Sequence, residues 1–292
     1  MSFDDVKFYF SRIQISKVND TFVFSSLPVE VKETQSLWHL KIADPGNHTF
    51  SVSQICERMF PRYSGYNYSH VRMFLIEVNT SGDSLKVLRF INAVSDIRER
   101  DTYLECNDLK EGEYFLYIEV DWQQESAFAS NHFCITCYGV SKVSLNNITT
   151  KYDKEDILRK TCSVMVKQSS GVGEITVDVA PQAPNLIKTT LKTDFKYLIY
   201  HYDNQASDLD YHEKQQFVMH EGIKLCKPYE GQTSYSVSVK ANTQSIVLIR
   251  LDATGYQYQG QISYRTSLSS AGLIEKCMST GKMEQKGEHN IF

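Results

Sequence analysis

The chain has 292 residues, 41% hydrophobic and 23% charged, a length suited to two ordinary domains and a composition that argues against global disorder. The net charge of -4 divides into -5 for residues 1–150 (14 Lys+Arg against 19 Asp+Glu) and +1 for the remainder (17 against 16). Neither half has the basic footprint by which nucleic-acid binders displace counterions, and no run approaches the ~18 apolar residues of a membrane span.

In chain order, the first predicted element is a short helix. Ser2 and Asp5 have capping-box spacing, and Phe3, Val6, Phe10 and Ile13 recur at helical spacing as one apolar stripe. A helix this short is marginal unless the stripe is buried, so these four residues are expected to bind a partner. Strand-length apolar or alternating runs follow: "RIQISKV", "SLWHLKIA", "HTFSVSQ", "VRMFLIEV", "SLKVLRFI", "EYFLYIEVDW" and "HFCITCYGV". Turn signals separate them, at "DPGN", "SGD" and "KEG". Many strands at this spacing predict an antiparallel sandwich.

The polar "NNITTKYDKEDILRK" interrupts the rhythm, with one or two helical turns expected in its second half and a domain boundary placed there. Strand-like runs then resume: "CSVMVKQ", "GEITVDVA", "FKYLIYHYD", "QFVMHEG", "SYSVSVKA", "SIVLIRLDA" and "YQGQISYRTSL". The predicted fold is therefore all-β: two tandem antiparallel β-sandwiches with a short N-terminal helix. The divisions are 1–20 for the helix, 21–148 and 149–272 for the sandwiches, and 273–292 for a polar tail.

The opening "MSFDDVKFYFSRIQI" resembles the stretch that closes the protease core of calpain-type cysteine proteases, where a "W-M-S-F-x-D" phrase starts a helix. Met1, Ser2, Phe3, Asp5, Phe10, Ser11, Arg12 and Ile15 fall on that pattern, with Ser16 where the family usually has cysteine. "VRMFLIEVNTSG", "LKEGEYFLYIEVDW" (Gly112 and Tyr114, with Glu111 for the usual proline) and "HFCITCYG" (without the usual arginine) resemble strands of the sandwich that follows that core. The resemblance covers roughly residues 1–140. Its catalytic cysteine, histidine and asparagine lie upstream of the "W-M-S-F" phrase, so it implies no catalytic residue in this chain. Residues 1–20 then correspond to the end of a protease core that is not here.

Other chemistry is weakly signalled. The seven cysteines lack framework spacing, and without a signal peptide they read as reduced, cytosolic thiols. Cys134 and Cys137 form a CxxC, but a zinc site wants a second pair, and on a strand residues three apart face opposite sides. "SGVGEIT", with Gly171 and Gly173, lacks the remaining features of a dinucleotide loop and reads as a turn between strands. Trp38 and Trp122 are expected in the core. Calcium needs several converging oxygens. The weak candidates are Asp203, Asp208 and Asp210 in "DNQASDLDYHE", with the more charge-neutralised Asp96, Glu99 and Asp101 behind them. No other cofactor and no small-molecule substrate are expected.

The function expected from these readings is a non-catalytic, calpain-like scaffold that docks protein partners in a larger assembly. It would be cytoplasmic, with a cytoskeletal or ciliary setting suggested by a composition similar to that of ciliate proteins. The alternatives are the regulatory C-terminal region of a calpain-type protease, and a calcium-dependent phospholipid-binding module.

Overall fold

Alternation of apolar side chains along strands needs a partner layer on each apolar face, and the number of apolar faces sets the number of layers. The computed structural model describes residues 20–31, 33–80, 85–122, 131–168, 173–179, 183–252, 254–268 and 285–289. The N-terminal stripe of Phe3, Val6, Phe10 and Ile13 lies outside these residues. The described chain is an all-β sandwich fold of four antiparallel sheets with one α-helix.

Nine strands come first: β1 (Val23–Glu30), β2 (Gln35–Ile42), β3 (Gly46–Gln54), β4 (His70–Asn79), β5 (Lys86–Asp96), β6 (Asp101–Leu109), β7 (Gly112–Asp121), β8 (His132–Gly139) and β9 (Leu145–Asn147). They form sheet I, ordered β1-β8-β3-β6, and sheet II, ordered β5-β4-β7-β2-β9. Helix α1 (Lys154–Gln168) follows. The remaining strands are β10 (Gly173–Val179), β11 (Leu186–Thr193), β12 (Tyr197–Asn204), β13 (Leu209–Glu221), β14 (Ile223–Leu225), β15 (Ser234–Val239), β16 (Thr243–Leu251), β17 (Gln257–Leu268) and β18 (Gln285–His289). These make sheet III, ordered β10-β11-β12-β16-β14, and sheet IV, ordered β15-β13-β17-β18.

Sheets I and II enclose one core, into which β4 sends Val71, Met73 and Leu75 and β7 sends Leu116, Ile118 and Val120. Sheets III and IV enclose another, built around Leu198, Tyr200 and Tyr202 of β12 and Val247, Ile249 and Leu251 of β16. The alternate residues of the same strands do not face water. Phe74, Ile76, Phe115 and Tyr117 from sheet II pack with Tyr197, Ile199 and Leu248 from sheet III and with α1 in a third core. The two inner sheets are thus buried on both faces. This explains why "VRMFLIEV" and "YFLYIEV" read as continuous apolar runs. The tandem sandwiches share a core, and α1 is part of it.

Helix α1 is longer than the sequence pattern predicts, and it absorbs the predicted strand "CSVMVKQ". Its buried residues are Ile157, Leu158, Thr161, Cys162, Met165 and Val166, a helical stripe whose last turns mimic strand alternation because Val164 and Val166 are β-branched. Asp153 caps it: the Glu155 amide donates to Asp153 Oδ1 at 3.0 Å. "SGVGEIT" accordingly joins a helix to a strand rather than two strands. Within the predicted polar tail, Gln285–His289 pair with β17 as β18. A five-residue strand is too short for periodicity to reveal.

Two histidines in buried positions make the fold sensitive to acid. Burial pushes the imidazoles of His48 and His201 below the ordinary histidine value, against weaker opposing contributions from the Gly46 carbonyl for His48 and from the charge of Asp203 for His201. A folded-state pKa below the unfolded value means that their contribution is complete above about pH 6.5 and is lost as pH falls through the folded value. The urea midpoint should therefore drop between about pH 7 and pH 5. His201→Gln should flatten that slope; an unchanged slope would show that burial of His201 does not set it.

Candidate functional site

Two arrangements stand out once the layers are in place. One holds the inner sheets together, and the other projects from the end of sheets I and II.

The first centres on Glu119, whose side chain is fully buried on the sheet III side of β7. Strand register sets its neighbours, with Gln35 of β2 and Arg72 of β4 directly opposite it on either side. Arg72 Nη1 donates to Glu119 Oε1 at 2.8 Å and to Asp121 Oδ2 at 2.7 Å, and Arg72 Nη2 reaches the Leu251 carbonyl at 3.2 Å. From sheet III, Tyr197 OH donates to Glu119 Oε2 at 2.7 Å and Arg250 Nη2 at 3.0 Å. Tyr117 OH and Gln35 Nε2 complete the shell at 3.3 Å each. Gln35 Nε2 also touches Glu155 Oε1 at 3.3 Å, bringing the first turn of α1 into the network. Burial raises the Asp121 carboxyl, but His70 and the Arg72 guanidinium outweigh it and hold the group well below the usual carboxylate range. Burial likewise opposes the charge on Arg250, and Glu119 more than restores it. The Arg72 and Arg250 guanidinium groups are matched by the Glu119 and Asp121 carboxylates, and the cluster ties sheet II to sheet III.

The second arrangement is the connection from β3 to β4, residues 55–69. Gln54 is buried and closes both ends: its Nε2 donates to the Ser69 carbonyl and its Oε1 accepts from the Ser69 amide, each at 2.8 Å. Inside the loop Phe60 stacks on Tyr66 at 4.2 Å, and Tyr68 meets Tyr66 edge-on at 6.0 Å. Tyr66 OH donates to the Ile55 carbonyl at 3.0 Å, and the Glu57 amide donates to Tyr68 OH at 3.1 Å. Gly65, at φ 67, supplies the left-handed turn. The loop therefore has its own small core and ends that meet, an Ω-loop in physical terms. Its outward side chains are large: Met59 is 77% exposed and Tyr63 86%. Arg58 and Arg62 flank them and make no ion pair among the described residues. Connections this long, with no more than the single 3-10 turn Glu57–Met59, usually carry function.

Cys56 lies at the root of this loop. A backbone hydrogen bond at Arg58 lowers its thiol pKa, with Tyr68 and Arg100 adding to the effect against desolvation. The four buried thiols differ. Burial pushes Cys106, Cys137 and Cys226 up to about 12, and Cys162 well above its ordinary value, which keeps them protonated and unreactive.

The aspartates singled out for calcium accept hydrogen bonds from neighbouring groups. Asp203 accepts from Gln205 and Gln244, each at 3.1 Å; Asp208 accepts from Ser207 at 3.4 Å; and Asp210 accepts from the Ala241 amide at 2.9 Å. Among the described residues no three His, Cys, Asp or Glu side chains converge as a metal-ligand group. Asp101 is paired with Arg100, and burial raises Asp96. Cys134 and Cys137 sit on opposite faces of β8, the latter in the core. Trp38 is buried, and Trp122 packs half-buried against Phe133. Neither the Glu119 cluster nor the 55–69 loop follows from the residue motifs. Their signals are an acid or arginine inside strands apolar on both faces, and a concentration of aromatics between two strands.

No family model and no curated protein matches the sequence. Solved structures that align with it include vicilin from hazelnut, Corylus avellana, at 7% identity over 85% of this chain and 77% of that one, with a TM-score of 0.17. Vicilin from Capsicum annuum aligns at 6% over 88% and 78%, TM-score 0.19. A calcium binding mutant of Bacteroides uniformis β-glucuronidase 2 aligns at 10% over 91% and 26%, TM-score 0.16. At those scores no shared architecture or activity is inferred.

Removing the shared acid should be costly. Glu119→Ala leaves Arg250 without its carboxylate and Arg72 with Asp121 alone, and a loss of about 3–5 kcal/mol in urea unfolding is expected. Replacing Glu119, Arg72 and Arg250 together by apolar residues should cost less than Glu119→Ala alone. A triple variant that loses more than the single one would contradict the charge-balance reading.

Proposed function

We propose that this chain is a non-catalytic docking piece of a larger protein assembly, a stiff β body that presents the 55–69 loop to a partner. The observation that carries this reading is the contrast within the loop. Phe60, Tyr66 and Tyr68 are used to hold its shape, while Met59 and Tyr63 are left in water beside Arg58 and Arg62, which make no ion pair among the described residues. Met, Tyr and Arg are the side chains enriched in protein–protein contacts, and a pre-organised loop loses little entropy on binding. The buried Glu119 cluster supports the same reading, because a load-transmitting or positioning element benefits from layers that do not slide.

The resemblance of roughly residues 1–140 to the calpain post-protease sandwich supports placing this body beside a peptidase lobe or in an assembly derived from one. On that resemblance the second reading is the regulatory C-terminal region of a calpain-type protease. A reading frame extending upstream into a Cys/His/Asn core would select it. A cytoskeletal or ciliary setting belongs to the same proposal, and localisation of a tagged chain tests it. No described helix is long and apolar enough to cross a membrane.

A photoreactive phenylalanine analogue placed at Tyr63 tests the docking surface in native extract, with the same analogue at exposed Val218 as control. A discrete adduct is expected from Tyr63 alone. Met59→Ala with Tyr63→Ala should leave the circular dichroism spectrum unchanged and weaken recovery of that adduct's partner at least about tenfold. Equal labelling from both positions would refute the assignment.

A further inference from the structure

Strand β10 presents an apolar sheet edge. It is the outermost strand of sheet III, and its far side has no hydrogen-bonded neighbour among the described strands. Edges are normally protected by shortness, charge, proline or bulges. The described edges at β9 and β14 are only three residues long, β1 contains Pro28, and β5 pairs with β4 through two irregularities. On β15 the outward side chains are serines. β10 is seven residues long without proline or bulge, and its two charges, Glu174 and Asp178, alternate with the apolar residues and so lie on the opposite face from them. Six of its seven residues are exposed, among them Ile175 at 39%, Val177 at 58% and Val179 at 54%. These three β-branched residues share one face. Exposed apolar side chains in a row on an open edge are a template for a further strand.

The sequence of β10 also says which strand fits. Antiparallel pairing of β10 with itself about Val177 places Ile175 opposite Val179 of the partner subunit and Val177 opposite Val177 of the partner subunit. Thr176 then faces Asp178 of the partner subunit. Every apolar residue meets a β-branched one, and no like charges are opposed. Pairing about Thr176 would set Glu174 against Asp178 of the partner subunit, two acids directly opposite, and pairing about Ile175 would set Val177 against Gly173 of the partner subunit, so the register about Val177 gives the best apolar match. Of the two acids, Glu174 lies 3.9 Å from Lys192, while Asp178 is in register with Lys188, whose ammonium is held by Glu213. From this self-complementarity we propose that β10 is a homodimerisation edge, at which two copies join through a two-fold β10–β10 ladder and sheet III becomes continuous across the pair.

A seven-residue ladder buries less than a standard interface, so the dimer should dissociate in the micromolar range. Sedimentation equilibrium from about 1 to about 100 µM should show a monomer–dimer equilibrium. Val177→Lys puts two cations against each other on the two-fold axis and should raise the dissociation constant at least tenfold, with an unchanged circular dichroism spectrum. Register is read by oxidative cross-linking on a background with half-buried Cys56 and Cys134, and Cys277, replaced by serine. Val177→Cys should form a self-linked dimer. Ile175→Cys should cross-link efficiently only when mixed with Val179→Cys. A chain that stays monomeric at the highest concentration would overturn the proposal, as would a dimer indifferent to Val177→Lys. So would self-linking of Ile175→Cys as rapid as that of Val177→Cys. A monomer whose β10 instead captures another protein's strand counts against it equally.

Discussion

Burying a carboxylate between two sheets is affordable only when its charge is matched and its lone pairs are filled, and the architecture follows from how Glu119 meets that demand. Its donors come from both inner sheets: Arg72, Gln35 and Tyr117 from one, Arg250 and Tyr197 from the other. Neither sandwich can satisfy it alone. Separation of the layers would hydrate Glu119 but leave Phe74, Phe115, Leu191 and Leu248 without the apolar surface they cover in the shared core. Apolar burial supplies the bulk of the attraction, and the ion cluster fixes the register at which it is realised.

A second buried acid repeats the device inside the other half. Glu213 takes hydrogen bonds from Tyr202 at 2.6 Å and Tyr211 at 2.7 Å, and from Lys188 at 2.9 Å. Lys188 in turn lies over the rings of Tyr200 and Tyr202, at 5.0 and 5.2 Å. Tyrosine abundance thus has a structural use here, because a phenol brings both an apolar ring and a donor for a buried carboxylate. With the interior closed in this way, what remains for recognition lies on the periphery: the braced loop at one end and the open edge of β10.

Much of the fold is legible in the sequence, and the failures have physical causes. Alternation located most strands, and turn chemistry separated them. Helix α1 was underestimated because its second half is rich in β-branched residues, whose preference for strands is overridden by a stripe that only a helix can bury between two sheets. The shared core is invisible to a count of strands, yet "VRMFLIEV" and "SIVLIRL" carry its mark: an arginine inside a run with no polar face. The 55–69 loop has no period to detect, and its stacked Phe60 and Tyr66 come together only through a turn. The apolar stripe Phe3, Val6, Phe10 and Ile13 falls outside the described residues, and the aspartates at 203, 208 and 210 accept hydrogen bonds from Gln205, Gln244, Ser207 and the Ala241 amide.

The unity of the two sandwiches is the claim on which the rest turns, and native-state hydrogen exchange addresses it directly. The slowest amides of β7, such as Ile118, and of β12, such as Ile199, should exchange through one common global opening with the same free energy and the same denaturant dependence. Two distinct opening free energies, with one sandwich exchanging while the other stays protected, would show that the Glu119 cluster does not join them.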